Sequence, residues 1–434
     1  MMNAIAMDIS RLIDRSHFST PTGIDRFELQ YANWAKARSS YFIEMGRTKP
    51  IEINRGRANG LISELEQRWS TAALTQSQST ELEQIYAAID GRLSWSQLKS
   101  IVPTKNKSKL QQWGMNAGKV LRTILPMSRL ATSAPFVHVS HTNLHRPAAF
   151  SWLDAQCSNG IFYVHDLIPL THPEFVRKNE PQRHLQRMET VLKHAGLVLC
   201  NSQTTARSFE TFAEEQGRAI PPIAVLPPGV EHSFNVASRA ARRSKRPYFL
   251  MVGTIEPRKN HAMILQLWRA LVDEHGKDTP RLVIAGKRGW ENAQVFATLE
   301  RCPQLRDIVI EAPDLGDAAL ADLMAGATAL LAPSFAEGYG MPLAEAMATG
   351  TTIIASNIPS HKEIAGEHAI FLDPLDGLGW REAIETHAAE HRRRAPLTLQ
   401  KWEKHFDQLD ELLDAAARQK SNADKQTSAN HSGK

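Results

Sequence analysis

The run Pro333-Ser334-Phe335-Ala336-Glu337-Gly338-Tyr339-Gly340-Met341-Pro342-Leu343-Ala344-Glu345 follows directly on the apolar stretch Ala329 to Ala332. It reads as a strand, a glycine loop and then a helix. Pro342 suits the first helical turn, where a missing N–H costs no partner. The backbone amides of Gly340, Met341 and Leu343 should therefore open the helix unpaired. Such amides form an anion site, and a diphosphate placed there gains hydrogen bonds and the positive end of the helix dipole. Glu337 on the loop and Glu345 in the early helix would flank it, each offering two oxygens to paired hydroxyls. Either glutamate taken alone would serve equally well as a cap or a solvated residue at the helix start.

A second run, Met251-Val252-Gly253-Thr254-Ile255-Glu256-Pro257-Arg258-Lys259-Asn260-His261, ends another apolar stretch. The turn at Gly253 and Thr254 brings two adjacent cations to its edge. Arg258 offers a forked donor and Lys259 a compact charge, so together they would stabilise a leaving diphosphate. On its own, an Arg-Lys pair before a helix is usually solvated surface. In the first half, Ile161 to Pro169 ends with His165 and Asp166. His165 is open to two readings, a group facing a cleft or a structural histidine bonded to backbone. Asp166 is better suited to capping the following turn. The loop Thr20 to Arg26 carries Gly23, which would permit close approach of backbone to a ligand.

These residues need a scaffold that delivers strand ends to one place. The first half shows a short strand at Ala4 to Ile9, then a helix from Ile24, with Phe27, Tyr31 and Trp34 at helical spacing and Asp25, Arg26 and Glu28 on the remaining faces. Strands follow at Phe136 to Ser140, Gly160 to His165, Leu197 to Asn201 and Ile223 to Leu226. The second half repeats the alternation at Tyr248 to Val252, Arg281 to Ala285, Ile308 to Glu311, Ala329 to Ala332 and Thr352 to Ala355. Two α/β Rossmann-like domains facing across a cleft are predicted. Their boundaries are 1–238, with an insertion at about 52–134, and 239–395, with Ser238 to Arg246 as the linker. A C-terminal helix over 396–418 would pack on either domain, and 419–434 has little to bury and should be a disordered tail.

The second-domain motifs resemble the retaining glycosyltransferases of family 4, which have the GT-B fold. Their hallmark of Glu, seven residues, Glu is met by EGYGMPLAE, and ATGTTIIASNIPSHKEIAG continues the pattern. The resemblance implies that Glu337 contacts the donor sugar, Glu345 the ribose, and His165 the sugar near its reacting carbon. It also implies a nucleotide-sugar donor, a saccharide or lipid-linked saccharide acceptor, and transfer with retention. The family places a Lys six residues after a glycine, as Lys259 is after Gly253. Many members have Arg directly after that glycine. Thr254 stands there instead, so Arg258 is expected to take over part of its role. GTIEPRKN is similar to a subgroup that acts on cell-surface polysaccharides, often with mannose donors such as GDP-mannose. No paired carboxylates mark a metal-bound diphosphate, since Asp8, Asp14 and Asp25 are dispersed, so transfer without a metal or other cofactor is expected. The likeness is dense from Ile161 to Pro374 and absent from the insertion and tail.

Composition sets limits around this reading. With 434 residues, 42% hydrophobic and 22% charged, the chain is long enough for two cores. Cys157, Cys200 and Cys302 lack zinc spacing and fit buried thiols in a reducing cytoplasm. No apolar run suggests a signal peptide or spanning helix, so a cytoplasmic protein is expected. The net charge of +5 is uneven: Arg92, Lys99, Lys105, Lys107, Lys109, Lys119, Arg122, Arg129 and Arg146 fall between Asp90 and Asp154 with no acid among them. This is either a solvated basic face or a surface for anions. With Leu110, Trp113, Val120, Leu121, Ile124 and Leu125 it would suit contact with the inner membrane face, and a nucleic-acid partner is the weaker expectation. The rival readings are a nucleotide-sugar epimerase or hydrolase of the same architecture, and a non-catalytic basic binding module.

Overall fold

A computed structural model describes residues 4–18, 20–38, 40–46, 49–69, 76–94, 97, 134–156, 160–237, 244–390 and 394–415. The first domain is a seven-stranded sheet of β1 (Ala6–Asp8), β2 (Tyr41–Met45), β3 (Pro50–Ile53), β4 (Phe136–His138), β5 (Gly160–Val164), β6 (Ala195–Cys200) and β7 (Ile223–Val225). The strand order is β3-β2-β1-β4-β5-β6-β7, with only the β2–β3 pair antiparallel. The second domain holds β8 (Tyr248–Val252), β9 (Arg281–Ala285), β10 (Val309–Glu311), β11 (Ala329–Ala332), β12 (Thr352–Ser356) and β13 (Ala369–Leu372). These six run parallel in the order β10-β9-β8-β11-β12-β13. Apart from the half-buried edge strand β7, the apolar runs seen in sequence are largely buried strands, as parallel sheets covered by helices require.

Each sheet reverses direction of travel once, between β1 and β4 and between β8 and β11. Crevices at such switch points, beyond the carboxyl ends of the strands, are where ligands enter open α/β sheets. The Gly253 and Glu337 loops leave β8 and β11, so both motifs emerge at one switch point.

The stretch 52–134 is not one insertion. Its beginning completes the first domain: β3 forms the sheet edge, and helix Arg55–Trp69 buries Ala58, Ile62, Leu65 and Trp69 against it. Helix Gln76–Ile89 instead joins the second domain, with Leu82, Ile85, Tyr86 and Ile89 packed beside Tyr248, Leu320 and Met324. Tyr86 Oη donates to Asp322 Oδ1 at 2.7 Å. An amphipathic helix must bury its apolar stripe somewhere, and spacing alone does not say on which neighbour. Residues 98–133, with most of the basic block and the apolar residues from Leu110 to Leu125, lie outside the described residues. So do Cys157, linker residues 238–243 and the tail from 416.

The helix over 402–415 returns to the first domain. Trp402, Phe406 and Leu409 pack among Phe27, Tyr31 and Trp34. His405 Nδ1 donates to the Pro227 carbonyl at 2.8 Å, leaving Nε2 to accept from Tyr31 Oη at 2.9 Å. On helix Gly23–Lys36, Asp25 and Glu28 are buried rather than set on an outer face. Asp25 closes a capping box with Thr22 and takes Arg11 at 2.6 Å and Arg15 at 3.1 Å. Glu28 accepts from the Leu12 amide at 3.2 Å, and burial together with nearby Asp8 pushes its carboxyl well above the usual range.

Candidate active site

The two domains enclose a cleft of about 630 Å³. Gly23, His165, Gly253, Thr254, Arg258, Lys259, Glu337, Gly340, Met341, Pro342 and Glu345 all line it. Leu343 does not. Its side chain is buried in the second-domain core, and its amide donates to the Gly340 carbonyl at 2.9 Å. The expected row of open amides is shorter for that reason. The N–H groups of Gly340 and Met341 make no hydrogen bond among the described residues, while Pro342 has none to offer. Gly340 has φ of 101° and Gly253 φ of 125°, conformations that a side chain would strain. These bends aim the loop ends into the cleft.

Glu337 is the electrostatic centre. Its Oε1 takes Lys259 Nζ at 2.5 Å and Ser334 Oγ at 2.8 Å, and its Oε2 takes Arg258 Nη1 at 2.5 Å. Burial alone would raise this carboxyl, but the two cations outweigh it and hold Glu337 well below the ordinary carboxylate range. Arg258 also reaches Glu256 at 2.5 Å and the Ala336 carbonyl at 2.9 Å. Burial opposes its charge, and Glu337 with Glu256 more than restores it. Beneath them His361 donates from Nδ1 to the Ser356 carbonyl at 3.1 Å, and burial lowers it to about 4 despite Glu337.

Across the cleft, His165 donates from Nε2 to the Val139 carbonyl at 2.7 Å, the backbone bond weighed as its structural role. It still lines the cleft, edge-on to Phe27 at 5.0 Å. Burial lowers its imidazole to about 4, so it is neutral at physiological pH. Asp166 Oδ1 accepts from the Ile168 amide at 3.1 Å and so caps the next turn. At Gly23 an added Cβ would meet nothing within 4 Å, so the space beside it belongs to the cleft and not to a packed neighbour.

The domains touch at the site itself. A Cβ on Gly338 would lie 2.0 Å from the His165 carbonyl oxygen, so only glycine fits. Ser202 Oγ donates to the Gly338 carbonyl at 2.7 Å, and Glu363 accepts the amides of Gln203 and Thr204 at 2.5 and 2.9 Å, capping helix Gln203–Glu215 from the other domain.

Arg26, Glu231, Asp317, Ser334 and His361 also surround the site, and the sequence reading did not single them out. Their partners lie far away in the chain or on motif positions without a characteristic spacing. Arg26, which follows the Gly23 loop, bonds Asp317 at 2.9 Å and Glu345 at 3.3 Å. Burial, with Asp317 and Glu231 beside it, pushes Glu345 up to about 7. Arg11, His141, Arg177, His184, Arg187 and Trp290 line the remaining wall. Among the described residues only Glu274, His275 and Glu385 group as metal ligands would, remote from the cleft lining. No helix of the described residues is long and apolar enough to cross a membrane.

Residues 235–386 match the family model described as glycosyl transferases group 1. The serotype-specific mannosyltransferase WbdA of Escherichia coli is 30% identical over 252 residues, 54% of this chain and 30% of that protein. The O-antigen chain mannosyltransferase RfbU of Salmonella typhimurium is 28% identical over 230 residues, 52% of this chain and 60% of that one. The chain thus spans about a third of the length of WbdA and less than two thirds of RfbU. Among solved structures, Anabaena HepE in complex with UDP and glucose superposes with a TM-score of 0.56 at 12% identity, covering 95% of this chain and 99% of that one. Trehalose 6-phosphate synthase of Burkholderia multivorans gives 0.55 at 12%, covering 98% and 100%. At such identities the structural likeness speaks for the fold, two parallel-sheet domains of GT-B type.

Proposed function

From a chain of GT-B fold whose residues 235–386 match the glycosyl transferases group 1 model, we propose a retaining glycosyltransferase that moves mannose from a nucleoside diphosphate, GDP, to a saccharide acceptor of a cell-surface polysaccharide. The observation that carries this is the Arg258–Glu337–Lys259 group beside the amides of Gly340 and Met341. A diphosphate entering there meets two fixed cations and a helix start, which stabilise the charge that grows as the glycosidic bond breaks. Its oxygens take over Lys259 and Arg258 in part, and the freed Glu337 oxygen turns to the sugar hydroxyls. Glu345 faces the ribose, and neutral His165 borders the reacting carbon from the other domain. The leaving phosphate oxygen takes the acceptor proton while the acceptor attacks from the face of departure. The two cations do the work a divalent ion would do, so transfer proceeds without metal.

Mannose is favoured because both mannosyltransferases named above align over half of this chain. The basic run from Arg92 to Arg146 supports a cytoplasmic enzyme visiting the inner membrane face, where a lipid-linked acceptor would lie. Sedimentation with anionic vesicles should weaken when Lys105, Lys107 and Lys109 are neutralised, and unchanged sedimentation removes that part. The test of the activity is acceptor-dependent release of GDP from GDP-mannose, with the product's anomeric configuration read by NMR. Release without acceptor, giving free or altered sugar, would point to a hydrolase or epimerase.

A further inference from the structure

Glu345 is placed by the first domain as well as by its own helix. Helix Met341–Thr349 carries it into the cleft wall, with its side chain 1% exposed. Glu345 is among the residues that line the cleft; its Oε1 is taken by Arg26 Nη1 at 3.3 Å, while its Oε2 is buried and has no hydrogen-bond partner among the described residues. Arg26 reaches across from helix Gly23–Lys36, whose start is locked one residue earlier by the Thr22–Asp25 capping box. The same Nη1 bonds Asp317 Oδ1 at 2.9 Å, at the first residue of helix Asp317–Gly326. Glu231, which accepts Gln30 Nε2 at 3.0 Å and Trp402 Nε1 at 2.9 Å, adds a third carboxylate to the group. One guanidinium therefore bonds two acids and has a third beside it, each from a different segment of the chain.

We propose that Arg26 is a positioning residue for the donor, acting through Glu345: it anchors one carboxylate oxygen across the domain boundary and leaves the other to accept a ribose hydroxyl. The inference rests on the reading of Glu345 as the ribose-binding group. Without Arg26, Glu345 would face Asp317 and Glu231 in a buried setting, take up a proton, and lose acceptor capacity. Burial and those two acids already bring it to about 7 with Arg26 present. Because Arg26 and Glu345 belong to different domains, the ribose contact is complete only when the domains are together. Donor discrimination and closure are thereby one event.

The test compares ribose with hydroxyl-free nucleotide. The full chain is titrated at pH 8 with GDP, UDP and ADP, and the tightest binder is compared with its 2′,3′-dideoxy form. Wild type should prefer the ribose form by about tenfold or more, the worth of a hydrogen bond to a charged acceptor. Glu345→Gln should remove the preference. Arg26→Met should bring it within about threefold while the dideoxy form binds nearly as before, and Arg26→Lys should restore part of it. Lowering the pH should erode the wild-type preference near 7, and in Arg26→Met the erosion should begin at higher pH. Arg26→Gln carries the same comparison if Arg26→Met does not fold. A full preference in the Arg26 variants, or equal weakening of both nucleotides, overturns the inference. A full preference in Glu345→Gln, or a wild-type chain that binds none of the three, overturns the reading beneath it.

Discussion

Replacing Glu337 by Gln should separate binding from turnover. Its carboxylate is the anion that Lys259 and Arg258 hold, both at 2.5 Å, with the side chain 9% exposed. Gln keeps the shape and removes the charge. Arg258 retains Glu256, whereas Lys259 has no other ion pair among the described residues. The stability cost should therefore stay at about 1–3 kcal/mol, under the ~3–5 kcal/mol of a buried pair broken outright. A nucleoside diphosphate then restores the missing negative charge. If the substitution frees one charge-assisted hydrogen bond of about 1.5 kcal/mol, the diphosphate should bind about tenfold tighter. Turnover should fall about 10²- to 10³-fold, because the transition state loses a group aimed at the sugar, worth about 3–4 kcal/mol. Calorimetric titration with GDP gives the first quantity and acceptor-dependent GDP release the second. Turnover at the wild-type rate, or affinity lost in step with turnover, would refute the assignment.

Other outcomes follow from the same geometry. Glu345 has a folded pKa raised to about 7 by burial, so its contribution to stability is fully present below pH 4.5 and is lost as pH rises through 7. Nucleotide affinity should move the opposite way, rising through pH 7 as the carboxylate forms, and melting curves with and without GDP at pH 5.5 and 8 report both. His165→Ala should lower turnover about tenfold or more, by the same factor from pH 6 to 9, since burial keeps the imidazole neutral there; a wild-type rate would exclude it from the site. Ile85→Ala should destabilise the fold by about 2–5 kcal/mol, because this first-half side chain is buried in the second-domain core; an unchanged denaturant midpoint would contradict that packing. Transfer should persist in excess EDTA, and its loss with recovery on adding a divalent ion would overturn metal independence.

The chemistry was legible where it sits on contiguous sequence. The strand ends at Ala332 and Val252, the glycine bends and Pro342 are local features, so spacing revealed Glu337, Glu345, Arg258 and Lys259 and the fact that strand ends present them. Pairing across the fold was not legible. Nothing near Arg26 announces Asp317 or Glu345, and Gln76–Ile89 shows an apolar stripe without naming the domain it covers. Leu343 was misplaced because a helix start has two faces, and the one it occupies turns inward to the core. The burial of Asp25 and Glu28 was hidden for a related reason: a charged residue goes inside when caps and cations meet it there, and those partners come from Arg11, Arg15 and Leu12 on the preceding helix.

The central claim is that the diphosphate occupies the hollow between Arg258, Lys259 and the helix beginning at Met341. A crystal structure of the chain soaked with GDP measures it directly. The expected result is phosphate oxygens within hydrogen-bond distance of Lys259 Nζ, the Arg258 guanidinium and the amides of Gly340 or Met341, with Glu337 drawn off at least one cation. Nucleotide bound elsewhere, with the Arg258–Glu337–Lys259 group undisturbed, would contradict it.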